Sequence, residues 1–334
     1  MRITPDHLEN GSTQKRTRAE PREAFLRRIT HVSLVGKDIS VMENLHFCKN
    51  LTVLYLYDNN ITTISGLECC RNLSRLYLQN NAIEEISGLD VGLDQLSVLH
   101  LHNNRIKFVN GLERLPALEQ LKLDRQQLPE GTALEFDPDC LATIAPALRQ
   151  LTVAGNHISD ITCMAVLRQL EHLNVSENEI ADLKKLENFL STCPQLSSLD
   201  ISLTPLAASI NPAKLRQKLI LASTSLDSLN EKPIPPVERK FVENLRKVQE
   251  RRKSLSTNPL SKQSSLTALD TALQAPNALQ EKPIPHLPPY ASQYRDLILS
   301  MQSNAPRTAA ESRSRNGSLA NVATAAERVK PEDQ

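Results

Sequence analysis

Leu51-Thr52-Val53-Leu54-Tyr55-Leu56-Tyr57-Asp58-Asn59-Asn60-Ile61 is the stretch that decides the fold. It sets leucine at the first, fourth and sixth positions, asparagine at the ninth and isoleucine at the eleventh. The spacing returns 22 residues later as Leu73, Leu76, Leu78, Asn81 and Ile83, and again as Leu96, Leu99, Leu101, Asn104 and Ile106. A period this short has room for one strand and one return segment. Such a unit cannot bury its apolar face alone and must stack on its neighbours.

Working outward, a degenerate unit precedes these three: Ile29, Val32, Leu34, Lys37, Ile39. After them come Leu118, Leu121 and Leu123, with Gln126 at the asparagine position. An insertion from about Pro129 to Ala147 interrupts the spacing. The pattern resumes as Leu148, Leu151, Val153, Asn156, Ile158, then as Leu170, Leu173, Val175, Asn178, Ile180. The last unit, Leu196, Leu199, Ile201, carries Thr204-Pro205 in place of asparagine. This is the leucine-rich-repeat signature. The expected fold is an α/β solenoid with a curved parallel sheet on its concave face and short helical or 3₁₀ segments on its convex face.

Each repeat position has its own physical role. The leucines point inward and stack into one apolar column. The asparagines stand where the strand ends, so their amides can satisfy backbone groups that the turn leaves unpaired. The arc that follows, Ile61-x-x-Ile64-x-Gly66-Leu67 and its copies at Ile83 and Ile106, is too short for a long helix. Within the insertion, Leu134, Leu141, Ile144 and Leu148 predict the inner side of a helical return segment.

Composition narrows the function classes. The chain has 334 residues and a formal net charge of +1, which gives no overall pull toward nucleic acid or membrane. No run of 18 apolar residues exists, and the N-terminus lacks the apolar core of a secretory signal. The six cysteines lack metal-ligand spacing and read as free thiols of a cytosolic protein. Phosphate-loop, zinc-protease and serine-hydrolase motifs are missing. No cofactor is expected, and the chain reads as a binding protein, not an enzyme.

The binding face follows from strand alternation, which turns the residues between buried leucines toward the concave side. These include Tyr55, Tyr57, Asp58, Arg75, Tyr77, Gln79, His100, His102, Lys122, Asp124 and Arg125, then Arg149, Thr152, His172, Asn174, Glu177 and Asp200. Three of the five tyrosines fall in one lateral patch beside two histidines. Tyrosine and arginine are favoured interface anchors, because they bury large area and keep a polar handle. His100 and His102 point the same way, but two ligands without a nearby Cys or carboxylate make no metal site. Arg105-Ile106-Lys107-Phe108 matches a phosphatase-docking short motif. Ile106 is also the buried isoleucine of its repeat, so the segment cannot be extended on a partner and packed in the solenoid together.

Four regions are expected: a flexible segment 1–24, the solenoid and its C-terminal cap 25–235, a basic amphipathic helix 236–253 and a disordered tail 254–334. A helix over Ala213–Ser223 would cover the open edge of the last strand, and Leu226, Leu229 and Asn230 look like a final half-repeat. In helix 236–253, Phe241, Leu245 and Val248 share a face, and seven basic residues stand against three acidic ones. That charge could meet an acidic partner such as the tails of tubulin. Ser254 and Ser318 follow basic residues at the spacing of basophilic kinase sites.

CKNLTVLYLYDNNI (48–61), LYLQNNAIEEISGL (76–89), the insertion RQQLPEGTALEFDP (125–138) and the ending LRQKLILASTSLDSLNEKPI (215–234) resemble the leucine-rich-repeat class of phosphatase-1 regulators. The resemblance covers about residues 25–250. It implies a non-catalytic subunit that holds the phosphatase-1 catalytic subunit on its concave face, with links to microtubules, the centrosome and the cytoplasmic cytoskeleton. It carries Tyr55, Tyr57, Tyr77, His100, His102, Lys122 and Asp124 over as face residues.

Overall fold

The computed structural model describes residues 1–257, with side chains described to Arg251. Twelve short strands appear in chain order: β1 His31–Ser33, β2 Val53–Tyr55, β3 Arg75–Tyr77, β4 Val98–His100, β5 Phe108–Val109, β6 Gln120–Lys122, β7 Glu135–Phe136, β8 Gln150–Thr152, β9 His172–Asn174, β10 Ser198–Asp200, β11 Ser228–Leu229 and β12 Lys232–Pro233. The helices are α1 Pro5–Gly11, α2 Arg22–Arg28, α3 Pro138–Ile144, α4 Leu183–Thr192, α5 Pro205–Ser209, α6 Pro212–Ala222 and α7 Pro236–Thr257. Ten strands form one sheet in the order β1-β2-β3-β4-β6-β8-β9-β10-β11-β12, parallel up to β11, while β5 and β7 pair separately. The middle residues Leu54, Leu76, Leu99, Leu121, Leu151, Leu173 and Leu199 stand in register from β2 to β10. All are buried. At roughly 1.5–3 kcal/mol for each buried leucine, this column contributes substantially to stability.

The asparagines work as one ladder. Asn81 accepts at Oδ1 from the Ile61 N–H at 2.9 Å and donates from Nδ2 to the Leu56 and Leu78 carbonyls. Asn104 repeats this with Ile83, Leu78 and Leu101. Gln126, the apparent departure, performs the same task with its longer side chain, accepting from Ile106 and donating to Leu101 and Leu123. Thr204 keeps only the bond to the carbonyl three residues back, donating to Ile201, and its hydroxyl also caps α5. The last rung is supplied by Asn230, which accepts from the Ile201 N–H at 3.0 Å. The residue before each repeat's asparagine position is left-handed, from Asp58 and Asn80 through Asn103, Arg125, Gly155 and Glu177 to Leu203, whereas at the last rung Asn230 is itself left-handed. Asparagine and aspartate tolerate that conformation better than most residues.

On the convex side the glycines are obligatory. A Cβ on Gly88 would stand 2.3 Å from the Ile64 carbonyl oxygen of the preceding repeat, and its φ is +68°. Gly111 is held the same way against Ile86, at 2.2 Å. The return segments are tight turns in the regular units and 3₁₀ turns at Leu45–Phe47 and Thr162–Val166. After β9 the return is the ten-residue helix α4, with Leu186, Phe189 and Leu190 buried. The insertion is shorter in helix than expected. It contains the seven-residue α3, and Leu134, Leu141, Ile144 and Leu148 are all buried.

Two regions differ from the sequence expectation. The segment 1–24 is folded: α1, with Thr4 in a capping box, buries Leu8, and Ile3 and Phe25 are fully buried beside it. Bridges Arg2–Val41 and Ser12–Val32 tie this segment to the first repeat, where the open edge of β1 needs cover. The basic helix runs to Thr257, past the expected end at 253. Val248 does not pack, at 42 % exposure, and the residues that dock the helix are Val242 and Glu238, both fully buried. Glu238 accepts two bonds from Arg216, at 2.7 and 2.9 Å, and Arg239 donates to the Ile220 and Ser223 carbonyls at the end of α6 and to that of Leu226 in the turn beyond it. Burial of two paired charges explains why this junction could not be read as an apolar stripe. Most of the expected disordered tail lies outside the described residues.

Candidate functional site

The concave face consists of two side-chain columns. One is set by strand register: Tyr55 beside Tyr77, His100, Lys122, Thr152, Asn174 and Asp200. The other lies two residues on, where backbone bonds set Gln79 beside the turn after Tyr57, then His102, Asp124, Ala154, Ser176 and Ser202 in sequence. Strand pitch fixes both columns about 4.8 Å apart per step, so a side chain of one repeat must meet its equivalents.

In the first half that contact is aromatic. Tyr55 and Tyr77 stack with ring centroids 4.8 Å apart and planes 8° from parallel. Tyr57 meets Tyr55 edge-on at 6.4 Å, Tyr77 meets His100 edge-on at 4.8 Å, and His100 meets His102 at 5.9 Å. Five expected residues thus form one ladder across three strands. Each pairing of this kind contributes about 0.5–1.5 kcal/mol beyond area burial, which holds the rings as a pre-organised surface. The rings remain half-exposed. Burial, followed by Lys122 and His102, lowers the His100 pKa to about 4, and burial also lowers that of His102. Both shifts favour the neutral imidazole.

Other expected residues have different employment. Asp124 accepts from the Thr152 hydroxyl at 2.6 Å and the Ala154 N–H at 2.8 Å, so its carboxylate holds β6 to β8. Asp58 accepts from Asn80, and Asn80 from Asn103, in a polar row along the rim of the face. Arg75 is exposed at the start of β3 and Lys122 is half-buried at the end of β6. Arg149 does not belong to the face. Its guanidinium donates to the Pro146 carbonyl and pairs with Glu171, because it falls one residue out of the concave register.

The second half is built of small residues. Ala154, Ser176 and Ser202, at the places that hold Tyr57, Gln79 and His102 in the first half, leave a cavity of about 560 Å³ that is bordered also by Asp124, Asn174 and Asp200 and, where it meets the first half, by His102. Arg125 crosses over Gly155 to reach Glu177 at 2.7 Å along its edge. The sequence analysis missed this hollow, although its signal was present as small residues two places before Asn156, Asn178 and Thr204.

Comparison with known proteins agrees with this architecture. The family model "Leucine Rich repeats (2 copies)" matches residues 49–91, which include β2 and β3. The chain is similar to the septation initiation network scaffold protein cdc11 of Schizosaccharomyces pombe, 33% identical over 97 residues, 28% of this chain and 9% of that protein. It is also similar to leucine-rich repeat-containing protein 56 of Homo sapiens, 37% identical over 65 residues, 20% of this chain and 12% of that protein. The matches span only about a tenth of these relatives. Among solved structures, internalin C2 of Listeria monocytogenes shares the fold, with a TM-score of 0.50 and 24% identity over 60% of this chain and 83% of that one. No helix among the described residues is long and apolar enough to cross a membrane.

Proposed function

We propose that the chain is a non-catalytic regulatory or targeting subunit that holds the phosphatase-1 catalytic subunit on the aromatic half of its concave face. The observation that carries the binding role is the ladder from Tyr57 to His102. It is a half-exposed aromatic surface, fixed by stacking before any partner arrives, on a fold whose concave sheet is made for protein contact. The choice of phosphatase rests on sequence: the insertion at 125–138 and the ending at 215–234 resemble those of protein phosphatase 1 regulatory subunit 42. The Arg105–Phe108 segment is not the docking element in this reading, since Ile106 is fully buried. The test is the triple substitution Tyr55→Ala, Tyr57→Ala, Tyr77→Ala in the full chain. Loss of about 100-fold in affinity for the catalytic subunit is expected, equivalent to roughly 3 kcal/mol from three anchor residues. Unchanged affinity in a variant with native circular dichroism sinks the reading.

A second reading, a cytoskeletal scaffold at the microtubule-organising centre, draws on the scaffold relative and on α7, whose Lys240, Arg246, Lys247 and Arg251 are exposed. Attraction of these charges for acidic tubulin tails would weaken with salt. Truncation before α7 is the wrong test, since it would strand the buried Arg216 without Glu238. Replacing Lys240, Arg246, Lys247 and Arg251 with glutamine keeps the clamp, and equal pelleting with microtubules by this variant rules the helix out. Ser254 lies in α7, where a phosphate would oppose the same contact; Ser318 lies outside the described residues.

A further inference from the structure

The hollow in the second half of the concave face holds one hydroxyl that the fold does not use. Ser176 lines the hollow and is only 6 % exposed. Its main chain is engaged: the N–H donates to Asn174 Oδ1 at 2.9 Å, and the carbonyl accepts from Gly155 and Asn178. Its hydroxyl has no hydrogen-bond partner among the described residues, and the oxygen is not closed off from solvent. The neighbouring hydroxyls differ. Thr152 donates to Asp124 Oδ2 at 2.6 Å, and Ser202 donates to Asp200 Oδ1 at 2.7 Å. A nearly buried polar group that the fold leaves unbonded calls for a partner from outside.

The surroundings of Ser176 set the charge of that partner. Asp124, Glu177, Asp200 and Glu231 line the same hollow, against the single guanidinium of Arg125, which pairs with Glu177. Three of these carboxylates keep an open oxygen. Ser202 engages only Oδ1 of Asp200, through both its N–H and its hydroxyl, and Arg125 engages only Oε1 of Glu177. The carboxylate of Glu231 is exposed and bonds to nothing among the described residues. Concave walls of this sign concentrate cations. We propose that the hollow is a second binding site, separate from the tyrosine ladder, which takes an arginine side chain carried by an extended segment of a protein partner. Asp200 is registered with Asn174, so its open oxygen and the Ser176 hydroxyl stand on adjoining strands with Glu177 beside them. A planar guanidinium presents five donors in a fork and can meet such acceptors together, whereas an ammonium offers three donors from one point. Asn174 uses its Oδ1 on Ser176, which leaves its NH₂ group for a main-chain carbonyl of the segment. The volume of about 560 Å³ admits a long side chain with its flanking main chain. His102 ends the ladder and borders the hollow, so the segment lies on a face already shaped for protein contact.

The experiment titrates the full chain, labelled at its alanine methyl groups, with the blocked peptide acetyl-Ala-Gly-Arg-Gly-Ala-amide and with its lysine and citrulline forms. The methyl signal of Ala154, on the wall of the hollow, should shift and saturate with the arginine peptide. The uncharged citrulline form should bind at least tenfold more weakly, and the lysine form at least threefold. Ser176→Tyr fills the hollow without changing its charge, at a place in the column where Tyr57 already stands. It should unfold at the wild-type temperature and lose at least tenfold in affinity for the peptide. Asp200→Asn with Glu231→Gln keeps an acceptor for Ser202 and should weaken the peptide at least tenfold, while phosphatase-1 affinity stays within threefold. This double variant decides the matter if Ser176→Tyr unfolds early. No saturable shift at millimolar peptide overturns the site, as does full affinity in the double variant or in a stable Ser176→Tyr. Equal binding of the lysine form overturns the guanidinium. Loss of phosphatase affinity in the double variant overturns the separation of hollow from ladder. The peptide titration does not involve the phosphatase, so a failure of the phosphatase reading leaves its result standing.

Discussion

The two halves of the concave face stand on the same core and present opposite surfaces. From β2 to β4 the columns carry Tyr55, Tyr57, Tyr77, Gln79, His100 and His102; from β8 to β10 they carry Thr152, Ala154, Asn174, Ser176, Asp200 and Ser202. Beneath both, leucines and asparagines repeat with nearly the same geometry. The difference teaches that a solenoid separates its problems. Stability is settled position by position in the repeated residues, and recognition by what stands between them, so one can change without the other.

The strongest way to break this comparison is through the shared ladder. Asn104→Leu and Asn178→Leu each leave buried backbone groups without partners, and at about 1–3 kcal/mol for each unsatisfied group we expect a loss of roughly 3–5 kcal/mol in either half by urea unfolding. A large loss in one half only would contradict a common core. Face substitutions should divide the halves. The triple tyrosine variant should lose about 100-fold in partner affinity, whereas Asn174→Ala with Ser176→Ala should stay within about threefold, both by surface plasmon resonance.

Smaller effects sharpen the same contrast. Gly155→Ala places a Cβ 3.1 Å from the Arg125 Cγ at φ +66°, and should cost about 1–2 kcal/mol in thermal unfolding without touching the tyrosine half. Acid should act on the halves in different windows. His100 holds its proton less tightly folded than unfolded, so its stabilising effect is complete above about pH 6.5 and is lost as pH falls toward 4. Asp160, held near 2 chiefly by Lys185 and then by Thr162, contributes above about pH 3.8 and loses that contribution only below it. Replacing His100 with phenylalanine should flatten the pH 6.5–4 slope of unfolding free energy, and Lys185→Met should leave it intact.

Much of this was legible in the sequence because the repeat leucines have a single structural role wherever they occur. The same period located the tyrosine patch and gave the role of Asn59, Asn81, Asn104, Asn156 and Asn178. What escaped it was non-repetitive. The N-terminal cap depends on Ile3, Leu8 and Phe25, too widely spaced to form a pattern, and on a capping box at Thr4. The docking of α7 depends on an ion pair between Arg216 and Glu238, 22 residues apart, which reads as solvated charge until burial is known. Thr204 and Arg149 show the other failure: one marks a rung transferred to Asn230, and the other sits a residue away from the concave register.

The central claim is that the aromatic half is the docking surface. Hydroxyl-radical footprinting of the full chain, with and without the phosphatase-1 catalytic subunit, tests it most directly. The account predicts protection of Tyr55, Tyr57 and Tyr77 in the complex, with Phe108 on the outer strand β5 unchanged. Equal oxidation of the three tyrosines in a saturated complex, with protection confined to Phe241 and Leu245 of α7, would contradict it.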